Sequence, residues 1–335
     1  MDAPDLLGVL SSTRPVMEEA KHVRIDAAKV EAVAEEMAAS LREPPAWDAS
    51  LHFRDGTWRT AGWVLALDAL NFCFWGDTPD PAARWKVAFR GEIHDGYWAL
   101  AAALTRAVEE GRPLWDHRYL AELTEGELRE ILCPAPGAPE IPLFEARLAN
   151  LRELGHGLLA WEGSATGETP LASLIRSAER SAVRLVRSVV EAFPSFDDVA
   201  VYGGREVRLY KRAQILVADL AGAFDGGGLG AFDDLDALTA FADYKVPQVL
   251  RRLGLLVYDH DLATRVDRYE LLAAGSSEEV EIRAATIWAC EALRRALVVR
   301  GHSLHAFEVD WALWSAGQHL PPDARPYHRT RTIFY

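Results

Sequence analysis

An acid set among aromatic residues is the first chemical feature of this sequence. Asp243 lies in residues 238–250, LTAFADYKVPQVL, with Phe241 two residues before it and Tyr244 and Lys245 directly after. Pro247 pushes Val246 away from helical geometry and suits the first turn of a new helix. The pattern predicts a short helix ending near Ala242, a kinked connector, and a second helix from Pro247. A carboxylate at such a joint, walled by rings, could act on something flat. It could equally cap the following helix, because Asp is a favoured capping residue. The local sequence leaves both readings open.

Other charged groups have similar double readings. Lys211 and Arg212 open a predicted helix over 210–224, YKRAQILVADLAGAF. A helix N-terminus with a lysine beside it favours phosphate, but solvated surface charge fits as well. The stretch 325–335, RPYHRTRTIFY, clusters Arg325, Arg329 and Arg331 with His328. Its aromatic residues indicate packing, so it is either a docked structural tail or a binding element. Asp310-Trp311 sets a carboxylate beside a ring, which could read an amine or simply cap a helix. His302, His305 and Glu308 are spaced by three, but no HExxH accompanies them, so metal catalysis lacks support. No GxSxG marks a serine nucleophile. The glycine-rich run 225–230, DGGGLG, follows a helix and lacks Gly-Lys-Ser/Thr, which makes it a linker.

The elements that must hold these groups are mainly helical. Apolar periodicity and capping residues predict helices over 26–41, 60–74, 97–109, 123–132, 144–161, 170–193, 210–224, 250–258, 260–272 and 277–300. A strand is expected over 85–90 with a turn near 91–96, and a small hairpin over 199–210 around Gly203-Gly204. No domain linker stands out, so residues 1–335 read as a single mostly α-helical domain with one or two small β-hairpins. A net charge of −14 opposes general binding of nucleic acid or anionic membranes. Three scattered cysteines, no visible signal peptide and no long uncharged apolar run make a cytoplasmic protein without a membrane span the expectation. Eleven tryptophans supply rings for stacking as well as packing.

Seven stretches carry a resemblance: LNFCFW (70–75), GYWAL (96–100), FPSFDD (193–198), YKRAQILVADL (210–220), LTAFADYKVPQVL (238–250), EVEIRAATIWA (279–289) and HRTRTIFY (328–335). Together they resemble the queuosine salvage protein family, over nearly the whole chain. The resemblance implies a queuosine 5′-phosphate N-glycosylase, or hydrolase, with an all-helical fold related to helix-hairpin-helix DNA glycosylases. It implies cleavage of the N-glycosidic bond of queuosine 5′-monophosphate to queuine and ribose 5-phosphate, with no metal or cofactor. The acid of the family's FADY-type motif falls on Asp243, and the lysine of its YKRAQ motif on Lys211. Phe241, His52 in HFRD, and Asp310 with Trp311 in EVDWALW match base-site positions. Arg212 and Tyr244, beside the two catalytic candidates, join the expected substrate-binding set, as do His328 and Arg331 of the tail.

The chemistry is consistent with that implication. A carboxylate beneath the sugar stabilises an oxocarbenium-like transition state by charge or by covalent attack. A 7-deazapurine has carbon at position 7, so protonation there gives no help, and more of the barrier falls on the carboxylate. Whether Asp243 attacks or orients water stays open, as does whether Lys211 pairs with Asp243 or binds the phosphate. A non-catalytic queuine or nucleotide carrier is the alternative, motivated by aromatic richness without a conventional acid–base pair. A DNA-repair glycosylase is a third reading, which the negative charge opposes.

Overall fold

Side-chain caps start many of the helices. Thr57, Thr124, Thr169, Ser181, Asp259 and Ser276 each accept a first-turn amide with their side-chain oxygen. The computed structural model describes residues 5–40, 47, 50–78, 80–162, 168–321 and 323–335. Among these are fourteen α-helices and three two-stranded antiparallel ribbons. No helix among the described residues is long and apolar enough to cross a membrane.

The core is built on three helices. Trp58–Ala69 and Lys211–Ala223 pack on each other and are buried along nearly their whole length, and Ser277–Val299, 23 residues long, packs against the Val9–Glu19, Ala27–Ser40 and Ala306–Gln318 helices. The first ends earlier than the apolar run suggests. Its cap is Leu70, and Cys73 is left-handed (φ 40°), so residues 70–76 form an irregular strip through the interior. Buried carbonyls outside a helix need donors. Arg147, from the Phe144–Trp161 helix, supplies them to Leu70, Phe72 (2.6 Å) and Cys73 (3.0 Å). The amide of Cys73 in turn donates to the carbonyl of Tyr335 at 3.0 Å.

Two further departures from the sequence reading concern helix bounds. The expected 170–193 helix is two, Pro170–Ser177 and Ala182–Ala192, separated at the left-handed residues Glu179 and Arg180. The 250–258 helix is instead the end of Lys245–Arg252 followed by a strand, Leu256–Tyr258, which pairs with Val23–Ile25. That ribbon joins distant segments and carries no hairpin signal. The expected 199–210 hairpin is present as Val199–Tyr202 with Arg205–Arg208, and the 85–90 strand is Lys86–Phe89, paired with a strand, Glu92–Asp95, where a turn was expected.

Candidate active site

A cavity of about 490 Å³ opens where the Lys211–Ala223 helix, the Ala306–Gln318 helix, the 70–75 strip and the segment before Lys245–Arg252 converge. Lys211, Ile215 and Asp219 face it from the first helix at a spacing of four residues. Tyr210 is left-handed (φ 47°), and the Asp198 carboxylate accepts the Lys211 amide at 3.1 Å. The lysine side chain is thereby turned inward, where Nζ donates to the carbonyl of Asn71 at 3.3 Å. From the second helix Asp310, Trp311 and Trp314 line the same space.

Residues 238–244 are irregular rather than helical, and buried side chains take up their polar groups. The Thr239 amide donates to Gln214 Oε1 (2.8 Å), and the Phe241 amide donates to Asp310 Oδ1 (3.0 Å). The carbonyl of Ala242 accepts from Arg283 Nε at 3.0 Å. Next comes Asp243, only 7% exposed. Its Oδ1 accepts the amides of Lys245 (2.9 Å) and Val246 (2.8 Å), so it does cap the helix that follows. Its other oxygen has no donor among the described residues, and Asp243 lines the cavity. Capping and facing a substrate are therefore one arrangement: the helix start fixes one oxygen and leaves the other.

Arg283 ties the two walls together. Its Nη atoms form a forked pair with Asp198 (2.9 and 2.5 Å), the residue that anchors Lys211, while Nε holds the carbonyl before Asp243. Both groups are buried. Bidentate geometry of this kind carries orientation as well as energy.

The titratable groups of the floor are pushed apart. Burial raises the Asp243 carboxyl, while the charge of Lys211 and the two amides pull it down. Asp310 is raised well above the usual range by burial and by the charge of Asp243. Burial raises Asp219 to about 7 against the pull of Lys211. Lys211 itself is lowered by burial and held up chiefly by Asp243, although no ion pair between them closes within 4.0 Å. The net direction for Asp243 is also upward, with Lys211 as its main counterweight, and the upward shifts of Asp219 and Asp310 favour their protonated forms. Environments that split carboxyl pKa values are what acid–base chemistry requires.

The walls are aromatic. His52 stacks on Trp47 (4.2 Å between centroids) and its Nε2 lies 2.9 Å from the hydroxyl of Tyr97. Of the sequence-derived residues, Asp243, Lys211, Phe241, His52, Asp310, Trp311 and Tyr244 meet in this cavity. Arg212, His328 and Arg331 do not line it. Arg212 is fully buried and donates to the carbonyls of Asp68, Ala69 and Ser195. His328 lies 3.2 Å from the Tyr335 hydroxyl, and burial with the nearby Arg283 lowers its imidazole to about 3, which leaves it neutral. Arg331 pairs with Asp77 and lies over the Trp75 ring at 4.8 Å. Charge alone made these three look like ligands for phosphate. The His302, His305, Glu308 triplet also has a structural use, since Glu308 accepts the His305 amide at 2.7 Å and caps a helix.

Sequence reasoning passed over Asp219, Trp47, Tyr97, Trp98, Arg84 and Tyr327, all of which line the cavity. For Asp219 the signal was present, because it lies two steps of four residues beyond Lys211. Tyr97 and Trp98 come from the first turn of the Gly96–Glu109 helix, inside the GYWAL stretch, while Trp47, Arg84 and Tyr327 reach the site from irregular segments without a local signature.

Comparisons with known proteins show the family. The family model described as "Queuosine salvage protein" matches residues 51–335. A Sphaerobacter thermophilus protein is 54% identical over 334 residues, covering 100% of this chain and 99% of its own. A Bos taurus protein is 35% identical over 346 residues, with 98% and 99% covered. One from Dictyostelium discoideum is 36% identical over 277 residues, with 82% and 78% covered. All three carry the name queuosine 5′-phosphate N-glycosylase/hydrolase.

Proposed function

The chain belongs to the queuosine salvage protein family, and from that membership we propose that it hydrolyses queuosine 5′-phosphate to queuine and ribose 5-phosphate. The observation that carries the reading is the Asp243 carboxylate: one oxygen is locked by two amides and the other is open to an aromatic-walled cavity, with the ammonium of Lys211 nearby.

In this reading the base lies among Phe241, Trp311 and His52, and the ribose sits over Asp243. As the C1′–N bond breaks, its electron pair leaves with the base and positive charge grows on the sugar. Asp243 meets that charge without having to reorient, because the helix start already holds it. Preorganised electrostatics of this type is worth about 3–4 kcal/mol per group. Water supplies hydroxide to C1′ and a proton to the base. Lys211 keeps Asp243 ionised while remaining a few ångströms off, so the carboxylate is not neutralised by a direct contact. Asp310 would pair with the cationic amine of queuine, and since its carboxyl is raised well above the usual range, docking that amine would release a proton.

The test is chromatographic. Purified protein is mixed with excess queuosine 5′-phosphate and free queuine is followed over time. A hydrolase releases base in many-fold excess over protein. A carrier returns the nucleotide intact, and that result would overturn the proposal.

A further inference from the structure

A second polar cluster lines the cavity beside the acids, made of Arg84, Lys245, Tyr244 and Tyr327. Arg84 lies just before the Lys86–Phe89 strand. The ribbon register places Lys86 opposite Asp95, so Arg84 and Asp95 fall together at the open end. Their ion pair is loose, 3.5 Å, and Arg84 donates no hydrogen bond among the described residues. A guanidinium has five N–H groups to place. The buried Arg147, Arg212 and Arg283 each donate to at least three carbonyl or carboxylate oxygens. Arg84 is a half-buried cation with most of its donors unspent.

Among the described residues the Lys245 ammonium has one hydrogen-bond acceptor, the carbonyl of Gly317 at 3.1 Å, and an ammonium has three N–H groups. Its Nζ lies 5.7 Å from the Tyr327 ring centroid, and the rings of Tyr327 and Tyr244 are 4.8 Å apart. Burial, and next the positive charge of Arg84, hold the Lys245 ammonium below its usual range. Two cations thus line one stretch of cavity wall, Arg84 loosely paired with Asp95 and Lys245 drawn to Asp243 and Asp95 without a closed ion pair, in a chain whose net charge is −14. An anion between them would relieve the repulsion. The position suits a sugar phosphate: Lys245 is two residues from Asp243 and donates its own amide to that carboxylate. The anomeric carbon and the 5′ position belong to one ribose ring, so groups that serve them must be neighbours.

We propose that Arg84 and Lys245, with the hydroxyls of Tyr244 and Tyr327, bind the 5′-phosphate and set the preference for nucleotide over nucleoside. The proposal rests on the hydrolase reading above and assigns to Arg84 and Lys245 a role that the sequence had offered to Lys211, Arg212 and the tail.

The experiment compares kcat/KM for queuosine 5′-phosphate with that for queuosine, in the wild type, Arg84→Gln and Lys245→Met. Each substitution is expected to cut the nucleotide-to-nucleoside ratio at least about tenfold, the worth of a charge-assisted hydrogen bond. A ratio that stays at the wild-type value, whether both rates fall or neither does, overturns the proposal. If the wild type releases base from neither substrate, the hydrolase reading fails by itself. The cradle is then judged by quenching of tryptophan fluorescence with ribose 5-phosphate. Saturable quenching that weakens at least about tenfold in Arg84→Gln supports it. Quenching equal in the two proteins, or absent from the wild type, overturns it.

Discussion

Replacing Lys211 with methionine removes one buried charge and little volume. In the folded protein that charge is what chiefly opposes the effect of burial on Asp243. No Lys211–Asp243 ion pair closes within 4.0 Å. For unit charges beyond 4.0 Å apart at an effective dielectric near 20, the attraction falls below about 4 kcal/mol, to the order of 3 kcal/mol. That corresponds to about two pKa units on Asp243. The direction is upward, because loss of a neighbouring cation disfavours the carboxylate. The acidic limb of the kcat/KM profile for queuine release is therefore expected to move about two pH units toward alkaline in Lys211→Met, and the rate is expected to recover at high pH. The variant gives up the hydrogen bond to the Asn71 carbonyl, worth about 1 kcal/mol, so it stays folded and the melting curve shows it. The assay is a pH–rate profile of both proteins across the acidic limb. A limb that does not move, or a loss of rate equal at every pH, would refute the electrostatic role and point to direct contact between Lys211 and substrate.

Arg283→Met leaves Asp198 buried without its partner and is expected to destabilise the fold by about 3–5 kcal/mol, read from denaturant unfolding. Arg331→Ala breaks a pair with an almost fully exposed Asp77, so a cost within about 1 kcal/mol and an unchanged nucleotide-to-nucleoside ratio are expected from the same assays. Asp219 holds its proton up to about 7 when folded, well above its usual range. The folded state therefore binds more protons than the unfolded chain between about pH 4 and 7, and this residue's contribution to stability falls as pH rises through that window. Asp219→Asn lacks the effect, so its stability relative to wild type should climb over that range. A difference that stays flat with pH would mean that Asp219 is ionised in the folded protein.

Helical periodicity and capping residues made the mainly α fold legible, because both are local properties of the chain. Helix ends were less so. The apolar run through Phe74 does not reveal that Trp58–Ala69 stops where it does, since the stop depends on guanidiniums of Arg147 and Arg212, which are remote in sequence. The Leu256–Tyr258 strand escaped notice for the same reason, its partner being Val23–Ile25. Within the site, the acid–aromatic pattern around Asp243 was readable, whereas its dual use was not. Whether a carboxylate caps a helix or faces a cavity is settled atom by atom. The arginines misled in the opposite sense. Arg212 and Arg331 are as cationic as Arg84, and only packing shows that Arg212 donates to buried carbonyls and Arg331 to Asp77, away from the cavity, while Arg84 lines it with only a loose pair to Asp95.

The central claim concerns the charge on Asp243, and Asp243→Asn isolates it. The amide oxygen of asparagine can still accept the Lys245 and Val246 amides, so the helix start and the cavity wall are kept. The decisive measurement is the single-turnover rate of queuine release from queuosine 5′-phosphate at saturating enzyme. A loss of about 10²–10³-fold with nucleotide binding retained is the expected result. A variant that binds the nucleotide and releases queuine at close to the wild-type rate would contradict the account.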